Sequence, residues 1–331
     1  VADSRALAED ALELIEVEID PLPVVPDCAA SLAGNVILHP RIGTNIATQY
    51  TVGKGDVAAA FASADYTRKE TFRSNRHTAS PLETRGLVAS WDAGKAKLTM
   101  HGTGKVPHTT RKMLSTMLGL AIEQMEMIEV DIGGGFGVRG EFHPEDFLIP
   151  ATARAIGGTV KWIEDRREHL MAANHSRQQH HRLRAAVDAD GRVLAIDDEF
   201  YHDQGAYVRT HGMRVVDNTI GTLAGPYRIP ALRSAGHFRL TNKTPAATYR
   251  SPGQYEGTFV RERLFDVIAH KLGMDPIELR RRNLIASDEM PFKRGLHTLG
   301  EEVIYDSGDY EGQLDSALAA MGWNDLQAEL K

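Results

Sequence analysis

One cysteine in 331 residues, Cys28, excludes an internal disulfide framework, and it cannot by itself form an iron–sulfur or zinc-thiolate site. That usage fits a reducing compartment, so the expected location is cytoplasmic. No apolar run approaches the ~18 residues that cross a bilayer, and the acidic amino terminus lacks the basic-then-apolar order of an export signal. A basic excess is missing too. The net charge is -7, without the cation surplus that tracks nucleic-acid phosphates, so no nucleic acid and no membrane span is expected. Repeats and low-complexity tracts are absent. What remains, 42% hydrophobic and 25% charged residues, is an ordinary globular composition, long enough for two or more domains and a large core without staples.

Apolar periodicity predicts an opening helix over 4–15, capped at Asp3 or Ser4, then a strand over 16–20 that Pro21 and Pro23 stop. A helix and strand with no lead-in read as the end of a domain whose start is missing. Pro26, Gly34, Pro40, Gly43 and Gly55 mark residues 26–56 as an extended connector. Beyond a short helix over 56–64, alternation predicts strands over 66–73, 86–91 and 97–101 in one β-rich layer. Further helices are expected over 107–118, 145–156, 254–271, 275–282 and 310–321. Further strands are expected over 127–132, 159–163, 179–187, 193–201 and 234–241, with Asp188-Ala189-Asp190-Gly191 as a hairpin turn. The sum is α+β, mixed sheets with packed helices, without the regular alternation of a doubly wound fold.

The run Asp131-Ile132-Gly133-Gly134-Gly135-Phe136-Gly137 narrows the chemistry most. Consecutive glycines let the main chain press against a ligand and offer bare N–H groups to its oxygens, with Phe136 as a wall; a plain turn is the competing reading. A dinucleotide fingerprint fails on context, because Pro144 and Glu145 delay the helix that a βαβ unit needs at once. His175, His180 and His181 lack the i, i+4 spacing of a zinc hydrolase and read as surface polarity on a strand. Glu145 and Asp146 suit a helix N-terminus, which leaves Glu141 free. Two more turns precede helices: Thr248-Tyr249-Arg250-Ser251-Pro252-Gly253-Gln254, whose Arg could instead pair with a surface carboxylate, and Thr103-Gly104-Lys105-Val106-Pro107-His108. Three such turns can converge on one oxygen-rich ligand.

In order along the chain, these motifs resemble the molybdenum-binding large subunit of the xanthine dehydrogenase and aldehyde oxidase family of molybdenum hydroxylases, in its N-terminal portion only. The resemblance runs through Glu18-Ile19-Asp20-Pro21-Leu22-Pro23, Lys105-Val106-Pro107-His108, Gly133 to Gly137, Gly225-Pro226-Tyr227-Arg228-Ile229-Pro230 and Asp306-Ser307-Gly308-Asp309-Tyr310. Its most specific block runs from Tyr249-Arg250 through Arg261-Glu262-Arg263 to Gly273-Met274-Asp275-Pro276-Ile277-Glu278-Leu279-Arg280-Arg281-Arg282-Asn283-Leu284. It implies that residues 1–26 end an α/β hammerhead domain, 27–56 connect, and 57–331 form the first molybdopterin-binding domain. It also implies a molybdenum–molybdopterin cofactor, in bacterial members usually the cytosine dinucleotide form, that oxidises a carbon with oxygen from water and passes electrons through 2Fe-2S centres to FAD.

The resemblance assigns Lys105, Gly134, Gly135, Phe136, Gly137 and Arg250 to cofactor binding, with no direct metal ligand, and Glu141, Ser251 and Pro252 to the substrate pocket. Phe136 and Gly137 would flank the metal's apical ligand, and Arg250 its pterin side. The catalytic base, a glutamate, is expected in a second half outside this chain, so no catalytic residue is assigned here. The implied partners are that second half, an iron–sulfur subunit and an FAD subunit, and the chain alone is expected to be inactive, whether a split subunit or a truncated piece. Lys105 stands where the family commonly has glutamine. Gly140 or Glu141 stands for the glutamate and Pro252 for the aromatic of purine oxidisers, and Ser251 for the copper-binding cysteine of carbon monoxide dehydrogenases. These departures argue against purines and copper-dependent CO oxidation. The expected substrate is an N-heteroaromatic or aldehyde carbon. The alternatives are a non-catalytic scaffold chain that binds no molybdenum and, on weaker grounds, a nicotinamide-dependent reductase.

Overall fold

A computed structural model describes residues 1–102 and 104–330; Thr103, the first residue of the turn at 103–108, and Lys331, the end of the expected domain, lie outside the described residues. The larger sheet has five strands in the order Ile46–Lys54, Ala231–Leu240, Val193–Gly205, Gln179–Val187, Tyr66–Ser74. Neighbours are antiparallel except Val193–Gly205 with Ala231–Leu240, a parallel pair that requires a crossover containing helix Gly212–Thr222. Alternation turns Ile196, Asp198, Phe200 and His202 to the buried face. There Leu183, Ile196 and Leu232 pack against Leu264, Phe265 and Ile268 of helix Gln254–Leu272, and Phe200 and Phe238 against Val216 and Ile220. On the other face, helix Val57–Ala62 covers Ala186, Ala195 and Ala231.

The smaller sheet has the order Met125–Glu129, Lys97–Gly102, Gly86–Asp92, Thr159–Ile163. Helices Pro107–Leu118 and Pro144–Ile156 bring Leu114 and Ala153 onto its Leu87, Leu98 and Met100. Each helix opens on a proline, whose missing N–H costs nothing there, and closes on a left-handed glycine, Gly119 or Gly157. The α+β class thus holds, and the helices at 107–118 and 310–321 and the strand at 159–163 match their expected bounds. No described helix is long and apolar enough to cross a membrane.

Several local expectations are corrected. The single β-rich layer is split, because Tyr66–Ser74 pairs with Gln179–Val187 while the other two strands build the smaller sheet. The span read as an extended connector holds a helix, Cys28–Ala33, capped by Asp27, and the edge strand Ile46–Lys54; its glycines and prolines flank these elements, and Gly53, inside the strand, lies against the Leu232 carbonyl. The strand expected over 16–20 is absent, since alternation defines a face but supplies no neighbour: Val17 and Ile19 are 70% and 78% exposed. Helices Arg166–Ala172 and Gly212–Thr222 and the hairpin Phe292–Thr298 with Glu301–Tyr305 have no counterpart in the sequence reading. His181 is not surface polarity. It is buried, stacked on Phe200 at 4.7 Å, with Nδ1 3.1 Å from both Asp198 oxygens and Nε2 2.8 Å from Gln179 Oε1. Among the described residues no cluster of metal-ligating side chains occurs.

Next to it His202 is buried against Phe238, and burial, with Arg76 nearby, pushes its imidazole down to about 3. His143, in the smaller half, is pushed to about 3 by burial and Arg85. A folded value below the unfolded one means that the unfolded chain binds the extra proton, so stability is full above about pH 6.5 and falls as the pH drops towards 3. His202→Gln is expected to flatten that acid limb by one proton, about 1.4 kcal/mol per pH unit, in urea unfolding of the intact protein from pH 7 to 4. An unchanged slope would show that His202 takes its proton without unfolding.

Candidate functional site

The two sheets meet where three loops converge. The first, after strand Lys97–Gly102, carries Gly104 and Lys105; the Lys105 amide donates to the Arg139 carbonyl at 3.0 Å. The second follows strand Met125–Glu129 and contains the glycine run. Its left-handed positions are Gly134 at φ +98°, Phe136 at +51° and Gly137 at +113°. Gly137 has no room for a side chain: a Cβ there would lie 2.6 Å from the Thr248 carbonyl oxygen. The third is the strap 248–253 ahead of helix Gln254–Leu272, and its Arg250 amide donates to the Phe136 carbonyl at 2.8 Å.

Together they line one cleft of about 620 Å³, bounded by Gly104, Lys105, Gly134 to Gly137, Arg250, Ser251 and Pro252, with Glu129, Ile132, Arg139 and Thr248. Eight of the nine expected site residues therefore share one cavity. The exception is Glu141, expected to be free and in the substrate pocket. Its buried carboxylate accepts from the His211 amide at 2.9 Å and the Thr248 amide at 3.1 Å, so it fastens the strap from behind and does not line the cleft. Asp146 caps its helix through the His143 amide at 2.8 Å, and burial pushes its carboxyl up to about 6; Glu145 pairs with Arg85 at 3.1 Å.

The cleft offers donors and cations. The successive amides of Gly134, Gly135, Phe136 and Gly137 have no acceptor among the described residues. Neither the Lys105 ammonium nor the Arg250 guanidinium has a carboxylate partner among them, which excludes the reading of Arg250 as half of a surface ion pair. Unpaired amides in left-handed backbone, with two uncompensated cations, suit an anionic, oxygen-rich ligand, and the volume lies in the ~300–1,000 Å³ range of cofactor sites.

Several supporting residues escaped the sequence reading. Arg139, next but one after Gly137, donates to the Gly134 carbonyl at 2.7 Å and to the Glu83 carboxylate at 2.8 Å, tying the glycine run to the neighbouring loop. Behind that loop Glu164 holds Arg85 at 2.7 Å and His169 at 2.5 Å; burial raises its carboxyl, but those two partners win and bring it to about 2. Asn174, Arg177 and Asn218 hold the strap's carbonyls. An arginine so close to a glycine run was the one usable signal; the others are legible only in three dimensions.

Comparison with known proteins gives the family. A family model described as the molybdopterin cofactor-binding domain matches residues 38–284. The gamma subunit of the 6-hydroxypseudooxynicotine dehydrogenase complex of Paenarthrobacter nicotinovorans is 40% identical over 98% of this chain and 41% of that protein. The large subunit of nicotine 6-hydroxylase from the same organism is 33% identical over 96% of this chain and 38% of that protein. The solved structure of quinoline 2-oxidoreductase from Pseudomonas putida 86 superimposes with a TM-score of 0.91 at 32% identity, over 99% of this chain and 42% of that one. The chain thus spans about two fifths of the length of these relatives.

Gly137→Ala is expected to cost about 2–6 kcal/mol in denaturant unfolding, combining ~1–3 for left-handed backbone with ~1–3 for displacing Thr248. Gly157→Ala, at φ +68° with nothing within 4 Å, separates the two because only the backbone cost applies there. Equal losses would show that the strap moves aside freely.

Proposed function

The chain belongs to the molybdopterin cofactor-binding domain family of molybdenum hydroxylase large subunits, and from that premise we propose that it forms one wall of the cofactor pocket in a multi-subunit oxidoreductase. One observation carries the proposal: Lys105, the bare amides of Gly134–Gly137 and the Arg250–Pro252 strap, three distant segments, open on one cleft, and neither of its two cations makes an ion pair among the described residues. A molybdenum–molybdopterin cofactor is anionic and rich in oxygen, and it fits that donor set. When bound it supplies the redox chemistry that oxidises a substrate carbon with oxygen from water.

The chain's own part is to bind, orient and exclude. The Gly134–Gly137 amides take oxygens at close range because no Cβ intervenes at the glycines, Arg250 presents a fork to an oxyanion, and Lys105 adds a point charge. Phe136, half exposed, and Pro252 give the cleft apolar walls that exclude water beside the reacting carbon. The proposed substrate is the carbon of an N-heteroaromatic ring or an aldehyde; three relatives named for nicotine, 6-hydroxypseudooxynicotine and quinoline support the heteroaromatic branch. Within the same proposal fall the cytosine dinucleotide form, the second half of the subunit with its base, the iron–sulfur and FAD partners, and the hammerhead reading of residues 1–26.

Metal analysis of the assembled complex tests this. About one molybdenum per copy of this chain is expected in the native complex, falling about tenfold with Arg250→Glu, as the loss and reversal of a charged hydrogen bond implies. Fully assembled material free of molybdenum would instead support a scaffold chain.

A further inference from the structure

The strap that carries Arg250 is held from beneath. Its carbonyls at Thr248, Arg250, Ser251 and Pro252 accept, in turn, from Asn174 Nδ2 at 2.9 Å, Arg177 Nη2, Arg177 Nη1 at 3.2 Å and Asn218 Nδ2 at 3.0 Å. Arg177 alone takes two consecutive carbonyls, those of Arg250 and Ser251, where Ser251 sits at φ +56°. Its guanidinium lies over the rings of Tyr249 and Tyr255 at 4.7 and 4.4 Å, and its Nη1 meets the buried Glu256 carboxylate at 3.1 Å. Arg177 is 4% exposed and Glu256 fully buried, so neither reaches the main cleft. A second cavity of about 510 Å³ lies on the Arg177 side, and Arg250 and Ser251 line both. The strap is a partition between two voids.

We infer that Arg177, neutralised by Glu256 and clamped between Tyr249 and Tyr255, is a positioning residue that fixes the strap so that Arg250 is presented to the cofactor cleft. The inference rests on the reading that Arg250 contacts the cofactor, and it adds the device that aims it. A planar fork suits the task, because two donors on one rigid group fix the relative orientation of two successive carbonyls; a lysine in its place keeps the charge beside Glu256 but not the fork.

A double-mutant cycle in the intact complex tests it, read by hydrogen exchange of a peptide covering 248–253 and by the rate at which bound molybdenum cofactor is released on dilution. Arg177→Lys is expected to speed strap exchange about tenfold or more while helix Pro144–Ile156 is unchanged, and to speed cofactor release by a similar factor, as the loss of charged hydrogen bonds implies. With Arg250→Ala already present, Arg177→Lys should alter release less than about twofold, because the side chain that it aims is gone. The same release factor in both backgrounds, or unaltered strap exchange, overturns the inference. If Arg177→Lys fails to fold, Glu256→Gln, which weakens the hold on Arg177 from the other side, takes its place under the same criteria. A native complex without molybdenum defeats the functional reading instead, and strap exchange still decides whether Arg177 holds the strap.

Discussion

The Arg250 amide donates to the Phe136 carbonyl at 2.8 Å, and this one bond joins loops that leave different sheets. The Phe136 loop follows a strand of the four-stranded sheet, and the strap follows a strand of the five-stranded one. The cleft therefore exists only where the two halves dock, and its geometry is set by how tightly the loops meet. Gly137 shows how tightly: the Thr248 carbonyl occupies the place of its missing side chain. Glu141 then ties the Thr248 amide to the helix-side loop at His211, so the contact is fixed from the cleft side and from behind.

Strain gathers at the same spot. Of the five non-glycine residues with positive φ among the described residues, Phe136, Arg177 and Ser251 belong to this one region, the other two being Ala96 and Leu299. Each such residue costs ~1–3 kcal/mol and persists only where its surroundings over-determine it. The surroundings do so here: the strap's carbonyls at 248, 250, 251 and 252 have side-chain donors, and its Arg250 amide has Phe136. A backbone held this firmly is pre-organised, so a ligand meets its donors without first ordering them.

Much of this was legible in the sequence because the relevant signals are local. A proline opening the helix at 107, glycines closing the one that ends at 156, and period-two runs placed most elements within a residue or two. The glycine run and the Arg250 turn could be named as a site for the same reason, since each is a short stretch of unusual composition. What failed depends on partners remote in sequence. The alternating residues at 16–20 describe a face without a neighbouring strand, while Ile46–Lys54 carries weak signals but finds Ala231–Leu240 beside it. Glu141 looked available because nothing nearby in sequence claims it; the amides of His211 and Thr248, 70 and 107 residues on, do. His181 looked polar and exposed until Asp198 and Gln179 joined it inside the sheet.

The disposition of charge completes the argument. Arg85, Arg139 and Arg177, all buried, are each matched by a carboxylate, Glu164, Glu83 and Glu256, as an uncompensated guanidinium in the interior is costly. Lys105 and Arg250 have no such match among the described residues, although Glu129 borders the same cleft. The structural arginines pair with Glu164, Glu83 and Glu256, and the two exposed cations make no side-chain ion pair that holds the loops among the described residues. Among the described residues their charge makes no ion pair, and the backbone amides beside them suit the same kind of atom, an electron-rich oxygen. Firm internal pairing around an unpaired rim is what separates this wall from a merely well-packed turn.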